Sequence, residues 1–312
     1  MKRLARVLGV LLVLGVPGYW WFLLESGTPS QTFHLELHEL RRLSETMAGD
    51  RPHFLRVEHV SGFEFPEVAV VAGRGWSMTK MPVYAYQLEW ADGGTAMIDT
   101  AMDEKVAKGE YASFFDQKAF ERVQAGISEA QWVVVTHEHY DHLGGAAVHP
   151  KLDALAGGVV RLTKEQLSSE KARKPLVFTP EQLQKLPTLE LDKTKVIAPG
   201  VVVIRSAGHT PGMQMVYVRR DDDEEYLFVS DVSWHQDNWQ EVRERARLVT
   251  ALFLGEDRDA VLAQLKAIKA AAEGNPKLHV VPGHDGVVMA QLLESGALVS
   301  GFKAPEPVAP AP

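Results

Sequence analysis

Cysteine is absent from all 312 residues of the chain. That excludes disulfides, thiolate-ligated zinc and a cysteine nucleophile, leaves the redox compartment open, and obliges any metal to sit on histidine and carboxylate. A basic surface is lacking as well. Lys and Arg total 33 against 41 Asp and Glu, giving a net charge of −8 and a pI near 5.9, with no lysine- or arginine-rich block in the globular part. Such a chain offers no electrostatic footprint for nucleic acid. There is no internal repeat at a fixed period, although the two halves share an order of strands, then helices, then a strand. The last nine residues, APEPVAPAP, form a Pro/Ala tail over 304–312 with nothing to pack. What remains is an ordinary globular composition, 46% hydrophobic and 24% charged, long enough for one large domain or two small ones.

The longest apolar stretch lies at the start. Lys2, Arg3 and Arg6 precede an uncharged run from Val7 to Leu24. Its length reaches about 27 Å as a helix, close to the hydrocarbon thickness of a bilayer. Residues 1–24 are therefore expected to form an uncleaved transmembrane anchor. The basic residues place its first end in the cytoplasm, Tyr19, Trp20 and Trp21 suit the far interface, and the rest of the chain would lie on the non-cytoplasmic side. A cleaved signal, giving a secreted protein, is the alternative, but its apolar region is usually shorter, and here Trp20, Trp21 and Phe22 stand before Glu25 in place of small residues.

Residues 25–55 read as a linker carrying an amphipathic helix over 31–48, with Phe33, Leu37, Leu40, Leu43 and Met47 at helical spacing. His34 and His38 on that helix are four apart and read as a solvated face. From 56 to 303 the pattern is that of one folded domain. It opens with β-rich runs, VEHV, EVAVV, VYAYQLEW and TAMID, broken by turn signals. Helices are expected near 103–108 and 114–125, strands at QWVVV and 158–162, and a charged helical insertion at 163–186 that reads as a solvated face or a lid. Strands return at VIAPGVVVIRS, MQMVYVRR and EYLFVS, followed by helices near 239–251 and 257–273 and the strand KLHVV.

Directly after the apolar WVVV, residues 136–145 read THEHYDHLGG. Five ligand-type residues among six, at the carboxyl end of a strand, form a pattern that a solvated loop explains poorly. His137 and His139, two apart in extended chain, can converge on one ion, while Asp141 and His142 are offset and can address a second. Single candidates end later strands: His209 after VVVIRSAG, Asp231 after EYLFVS, and His284 after KLHVVPG. Each alone is weak, and together they are a set.

On these residues the chain, from about 56 to 290, resembles the metallo-β-lactamase fold hydrolases. The motif H-x-H-x-D-H stands complete as His137, His139, Asp141 and His142, with His209 in AGHTPG, Asp231 in VSD and His284 in PGH. The resemblance implies an α/β fold, a four-layer αββα sandwich of two similar halves. It also implies two divalent metal ions. One would sit on His137, His139 and His209 and the other on Asp141, His142 and His284, with Asp231 bridging. Zn²⁺ suits these donors best, and Fe²⁺, Mn²⁺ or Co²⁺ accept them. Asp99 in MIDTA matches an aspartate that supports a histidine ligand in the family, with a turn cap as the alternative. The implied chemistry is hydrolysis of a small-molecule substrate by a metal-bound hydroxide, with Asp141 as catalytic proton shuttle.

Departures narrow the subfamily. Flavodiiron proteins carry glutamate where His139 stands, and the β-lactamases that share the motif generally lack an aspartate at the position of Asp231. Glyoxalase II needs a C-terminal helical domain, whereas only 28 residues follow His284. Acyl-homoserine lactonases have a similar donor set and a comparable length after the last ligand, so the reading leans to an ester or lactone. A mononuclear iron persulfide dioxygenase on the same scaffold is the alternative, and a non-catalytic membrane-tethered binding module is a third. His235, Asn238, Trp234 and Trp239, just past Asp231, are candidates to line the pocket or to pack as a tryptophan pair.

Overall fold

A computed structural model describes residues 15–152, 158–186 and 188–303. Twelve strands are named among these residues: β1 Phe54–Pro66, β2 Met78–Glu89, β3 Thr95–Ile98, β4 Phe114–Phe115, β5 Val133–Val134, β6 Val160–Arg161, β7 Thr194–Ala198, β8 Val201–Arg205, β9 Gln214–Arg219, β10 Glu225–Ser230, β11 Leu278–Pro282 and β12 Val299–Ser300. They build two sheets. One has the order β12-β1-β2-β3-β5-β6, with β4 on β1, and the other the order β11-β10-β9-β8-β7. The late strand β12 pairs parallel to β1, so the end of the chain closes the first sheet.

Alternation along the strands explains the layers. In β8, Val201 and Val203 face the core between the sheets with Tyr86, Ile98 and Phe228, whereas Val202 and Ile204 face outward against a helix. A period of two with both faces apolar is what a sheet covered on both sides requires. Outside the first sheet lies helix Gln117–Glu129, whose Phe120, Val123 and Ile127 are buried along one stripe and whose first turn is capped by Asp116 accepting from Ala119 N. Outside the second lies helix Arg258–Ala272, capped by Asp257, with Val261, Leu265 and Ile268 inward. Each such buried side chain contributes about 1.5–3 kcal/mol of transfer free energy. The result is the four-layer αββα sandwich. At the tight β7–β8 turn Gly200 has φ +77° and lies against the Arg219 carbonyl, where a side chain would both strain the backbone and collide.

Several local expectations are corrected. EVAVV forms a short helix, Glu67–Val70, after Pro66 ends β1, because Val68 and Val70 reach the core from that turn. The helix expected over 239–251 is two pieces, Gln236–Glu241 and Arg247–Val249. Val242 adopts a left-handed φ of 53° between them, and the Asn238 carboxamide bonds to Arg243 O and Val70 O. The helix expected over 31–48 spans only Leu37–Ser44, and Leu35, Leu37 and Leu40 pack on the outer face of the second sheet. His38 is exposed there. Residues 25–55 are thus no free linker, and β1 begins at Phe54.

Of the expected anchor, residues 1–14 lie outside the described residues, as does the tail 304–312. Gly15–Tyr19 are helical and continue into a π-helical turn, Trp20–Leu24. Among the described residues no helix is long and apolar enough to cross a membrane.

Candidate metal centre

The strand ends bring the seven sequence candidates together. The loop after β5 carries His137 and His139, and helix Tyr140–Ala147 presents Asp141 and His142 from its first turn. His209 comes from the β8–β9 loop, Asp231 directly follows β10, and His284 follows β11. Donor atoms fall into two groups, each gathered within 4.8 Å: His137, His139, His209 and Asp231 in one, Asp141, His142 and His284 in the other.

Asp231 stands between them. Its Oδ2 lies 3.3 Å from His209 Nε2 and 3.7 Å from His137 Nε2, while its Oδ1 lies 3.1 Å from His284 Nε2 and 3.3 Å from His142 Nε2. Asp141 Oδ2 is 3.6 Å from His284 Nε2 and 3.7 Å from His142 Nε2. His142 Nε2 and Asp231 Oδ1 are fully buried without a satisfying hydrogen bond. Leaving buried polar atoms unpaired is costly. Borderline nitrogen donors with a few carboxylates are the chemistry of zinc and similar divalent ions, so the residues fit two such cations.

The far nitrogens of the imidazoles are held by the fold. His142 Nδ1 is 2.8 Å from Asp99 Oδ2, so Asp99 supports a histidine and does not merely cap a turn. Asp99 also accepts from Thr136 N at 2.6 Å and Thr136 Oγ1 at 2.8 Å, and Thr136 Oγ1 reaches Ser230 Oγ at 2.8 Å. One hydroxyl thereby ties the two halves. Asp99 and Ser230 both carry positive φ, 60° and 44°, a strained backbone typical of functional strand ends. His284 Nδ1 donates to Pro82 O at 2.9 Å, and His209 Nδ1 lies 2.9 Å from Glu256 Oε2. Behind Asp231, a Cβ on Gly283 would run into Asp231 Oδ1 and the Ser230 backbone, so the close approach requires glycine.

Glu256 and Arg245 carry no motif, and sequence reasoning missed both. Arg245, 1% exposed, donates from Nη2 to Glu256 Oε2 at 2.6 Å and to Asp231 O at 2.8 Å, and its guanidinium lies 4.5 Å from the centroid of Trp234. Trp234 in turn donates from Nε1 to Asp231 Oδ2 at 2.7 Å. In sequence ERARLV reads as an ordinary charged helix and LGED as a turn. Glu138, the fifth ligand-type residue of the motif, turns away from the donors and accepts from Thr210 Oγ1 and Gly212 N, fastening the His209 loop. Of the residues past Asp231, Trp234 lines the cavity, while His235 and Asn238 cap helix Gln236–Glu241 and Trp239 packs outside the second sheet.

Charge follows this arrangement. Burial pushes His137 and His139 well below the ordinary histidine range, and neighbouring imidazoles push the same way. Burial also opposes protonation of His142, but Asp141, Asp99 and Asp231 outweigh it and lift that imidazole well above its ordinary value. Asp231 and Glu256 raise His209 against the same burial, and Asp231 raises His284. Burial would raise Asp231, yet His284, His142 and His137 hold it well below the carboxylate range. Glu256, opposed by burial, is held at about 2 by Arg245 and His209. Asp231 and Glu256 are thus held in the ionised form with positive charge gathered around them, the balance that cations supply.

A cavity of about 1470 Å³ opens onto the donors, with His139, Asp141, His209, Asp231 and His284 in its wall and Phe63, Phe65, Tyr140, Trp234, Phe253 and Leu254 around them. Residues 168–172 and Lys174 of the insertion line it too, and Gln166 bridges Val135 O and Gly212 O, so the insertion forms part of the pocket wall and is not simply a solvated face.

Comparison with known proteins agrees with this geometry. The chain is 21% identical over 226 residues to an N-acyl homoserine lactonase of Bacillus thuringiensis, covering 67% of this chain and 83% of that one. Among solved structures, a quorum-quenching N-acyl homoserine lactone lactonase superposes with a TM-score of 0.62 at 18% identity, over 81% of this chain and 98% of the other. An N-acyl homoserine lactone hydrolase with N-hexanoyl-L-homoserine bound at its catalytic metal centre gives 0.60 at 17%, over 77% and 96%. The pattern of the Metallo-beta-lactamase superfamily spans residues 78–284, all seven donors included. The chain belongs to the metallo-beta-lactamase superfamily of metal-dependent hydrolases.

Proposed function

We propose that the protein hydrolyses a lactone or related ester of a small molecule at a dinuclear metal centre held by His137, His139, His209, Asp141, His142 and His284, with Asp231 between the ions. The observation that carries this reading is the division of the two Asp231 oxygens between the two donor groups. Bound there, two cations would make water acidic enough, from about 15.7 toward 7, to attack at neutral pH, and would polarise the carbonyl under attack. Zn²⁺ fits the donors best, and Fe²⁺ and Mn²⁺ are the alternatives.

The chain's own residues supply the rest. Asp141 is the donor carboxylate with the most exposure, lines the cavity and is placed to pass a proton to the leaving oxygen. Phe63, Phe65, Tyr140 and Trp234 offer an apolar wall for an acyl group and keep water away from the reacting carbon. The acyl lactones named for the relatives are accordingly the first substrates to try. A complete second donor group favours a dinuclear hydrolase over the mononuclear iron dioxygenase.

The anchor belongs to the same proposal: the uncharged run Val7–Leu24 behind Lys2, Arg3 and Arg6 supports a membrane-tethered protein with its domain on the non-cytoplasmic side. Elemental analysis of the purified full chain, with lactone, ester, thioester, β-lactam and phosphodiester substrates, tests the chemistry. Two metal equivalents with lactone or ester cleavage are expected. Iron at one equivalent with oxygen consumption on persulfides would overturn the reading. Protease added to spheroplasts should digest the domain while leaving a cytoplasmic control intact.

A further inference from the structure

Three stretches far apart in sequence meet beside the cavity, and each leaves large apolar side chains in solvent. The first is Gly15–Leu24, with Val16, Tyr19, Trp20, Trp21 and Phe22 exposed. Next comes the turn from β1 to β2, with Phe65, Trp76 and Met78. The third is Arg247–Val249 and the π-helical turn Thr250–Leu254, with Leu248, Leu252 and Phe253; Leu252 is 69% exposed. They are fastened to one another. Gly73 N donates to Leu23 O at 2.9 Å, Trp76 Nε1 donates to Tyr19 Oη at 3.1 Å, and the Arg247 guanidinium lies 3.9 Å from the Trp21 ring centroid and pairs with Glu25.

Single exposed apolar residues are ordinary, whereas a contiguous patch built from three separate segments marks a surface meant to be covered. The patch also joins the site, since Phe65 and Phe253 belong both to it and to the cavity wall. What covers it is indicated by the chain. The uncharged run Val7–Leu24 ends inside this patch, and its described part, Gly15–Leu24, is docked there through Tyr19, Trp21 and Leu23. Tyr and Trp rings with polar tips are the side chains that suit a bilayer interface.

We propose that this face rests on a lipid bilayer and that the cavity receives its substrate there, an amphiphilic lactone or ester whose acyl chain partitions into the membrane. The substrate class rests on the hydrolase reading above; the docking does not. Each methylene contributes about 0.8 kcal/mol to partitioning, so long acyl chains are strongly concentrated at that surface.

The absence of cysteine makes the test clean, because a single introduced thiol takes all of the label. Full-length Leu252→Cys carries an environment-sensitive fluorophore in phosphatidylcholine/phosphatidylglycerol vesicles, and full-length Asp222→Cys serves as control. Asp222 is exposed in the β9–β10 turn, at the opposite end of β10 from Asp231. Bromine-labelled lipids are expected to quench the label at 252 and spare the label at 222. Equal, weak quenching at both positions overturns the docking. So does a label at 252 that is shielded only as protein concentration rises in detergent, which would mean that a second copy covers the face.

A kinetic arm uses Leu252→Glu combined with Met78→Glu, two exposed positions outside the cavity wall. The pair should lower kcat/KM about tenfold for a vesicle-borne lactone with a ten-carbon acyl chain, the size of effect expected from losing part of an apolar surface contact. For a water-soluble short-chain lactone, kcat/KM should stay within about twofold, as for exposed substitutions away from a site. Equal loss on both substrates overturns the proposal. If the unsubstituted protein cleaves neither lactone, the hydrolase reading fails while the labelling still decides the docking.

Discussion

The two donor groups are built from the same residue types but are supported in opposite ways. His142 and His284 are backed by neighbours in the layered core: Asp99 at the end of the adjacent strand β3, and the Pro82 carbonyl of β2. His209 leans on Glu256, which is itself held by the buried Arg245, and both come from the irregular stretch between β10 and helix Arg258–Ala272. The imidazoles of one group are thus positioned by the regular sandwich, whereas His209 of the other is positioned by an ion pair buried outside it. The lesson is that a shared motif leaves open what orients each ligand. Both carboxylates are buried, but Asp99 is satisfied by the Thr136 amide and hydroxyl beside His142, whereas Glu256 is satisfied by a buried guanidinium whose removal would leave its charge uncompensated.

The comparison breaks first at Asp231, the residue common to both groups. Asp231→Ala should lower activity by three orders of magnitude or more, roughly 4 kcal/mol of transition-state stabilisation, and loosen both metals. Metal content and kcat measured together check this, and loss of one equivalent with most activity kept would show that Asp231 does not join the groups.

Glu256 gives the next effect, seen in chelator-treated protein. Its folded value near 2 lies below its ordinary 4.5, so its stabilising contribution is present above about pH 4.5 and disappears as pH falls through 2. The shift corresponds to at most about 3 kcal/mol. Urea unfolding between pH 5 and 2 should therefore be flatter for Glu256→Gln than for the parent, and parallel curves would contradict the assignment.

A smaller pair of effects sharpens the contrast itself. Glu256→Gln should weaken one metal equivalent, and Asp99→Asn the other, each by about 10–100-fold as for other outer-sphere partners of metal-bound histidine. Competition with a graded chelator would resolve the two, and a variant that weakens both ions equally would mean that the groups are not separately supported. Smallest of all, Thr136→Val removes the hydroxyl between Asp99 and Ser230 and should cost about 1–2 kcal/mol in thermal unfolding while both metals stay bound.

Much of the chemistry was legible in sequence because ligands at strand ends leave a local signature. A run such as WVVV followed by THEHYDH announces both the strand and the cluster, and HTPG, VSD and PGH each follow an apolar run in the same way. Alternating apolar strands were readable for the same reason: period is a property of neighbouring residues. EVAVV was misread because its β-rich composition yields to Pro66 and to the core that Val68 and Val70 enter. Arg245 and Glu256 were invisible because an ion pair eleven residues apart has no period.

The sequence by itself marked the seven candidate donors, much of the strand-and-helix order and the uncharged run at the start, since each is written in spacing and polarity along the chain. Only the tertiary structure decided which residues hold the imidazoles from behind, and that the end of the apolar run is fastened to segments lying beside the cavity. Those facts concern residues far apart along the chain, 43 positions for Asp99 and His142 and 202 for Pro82 and His284, where contact depends on how two sheets pack and not on any local pattern.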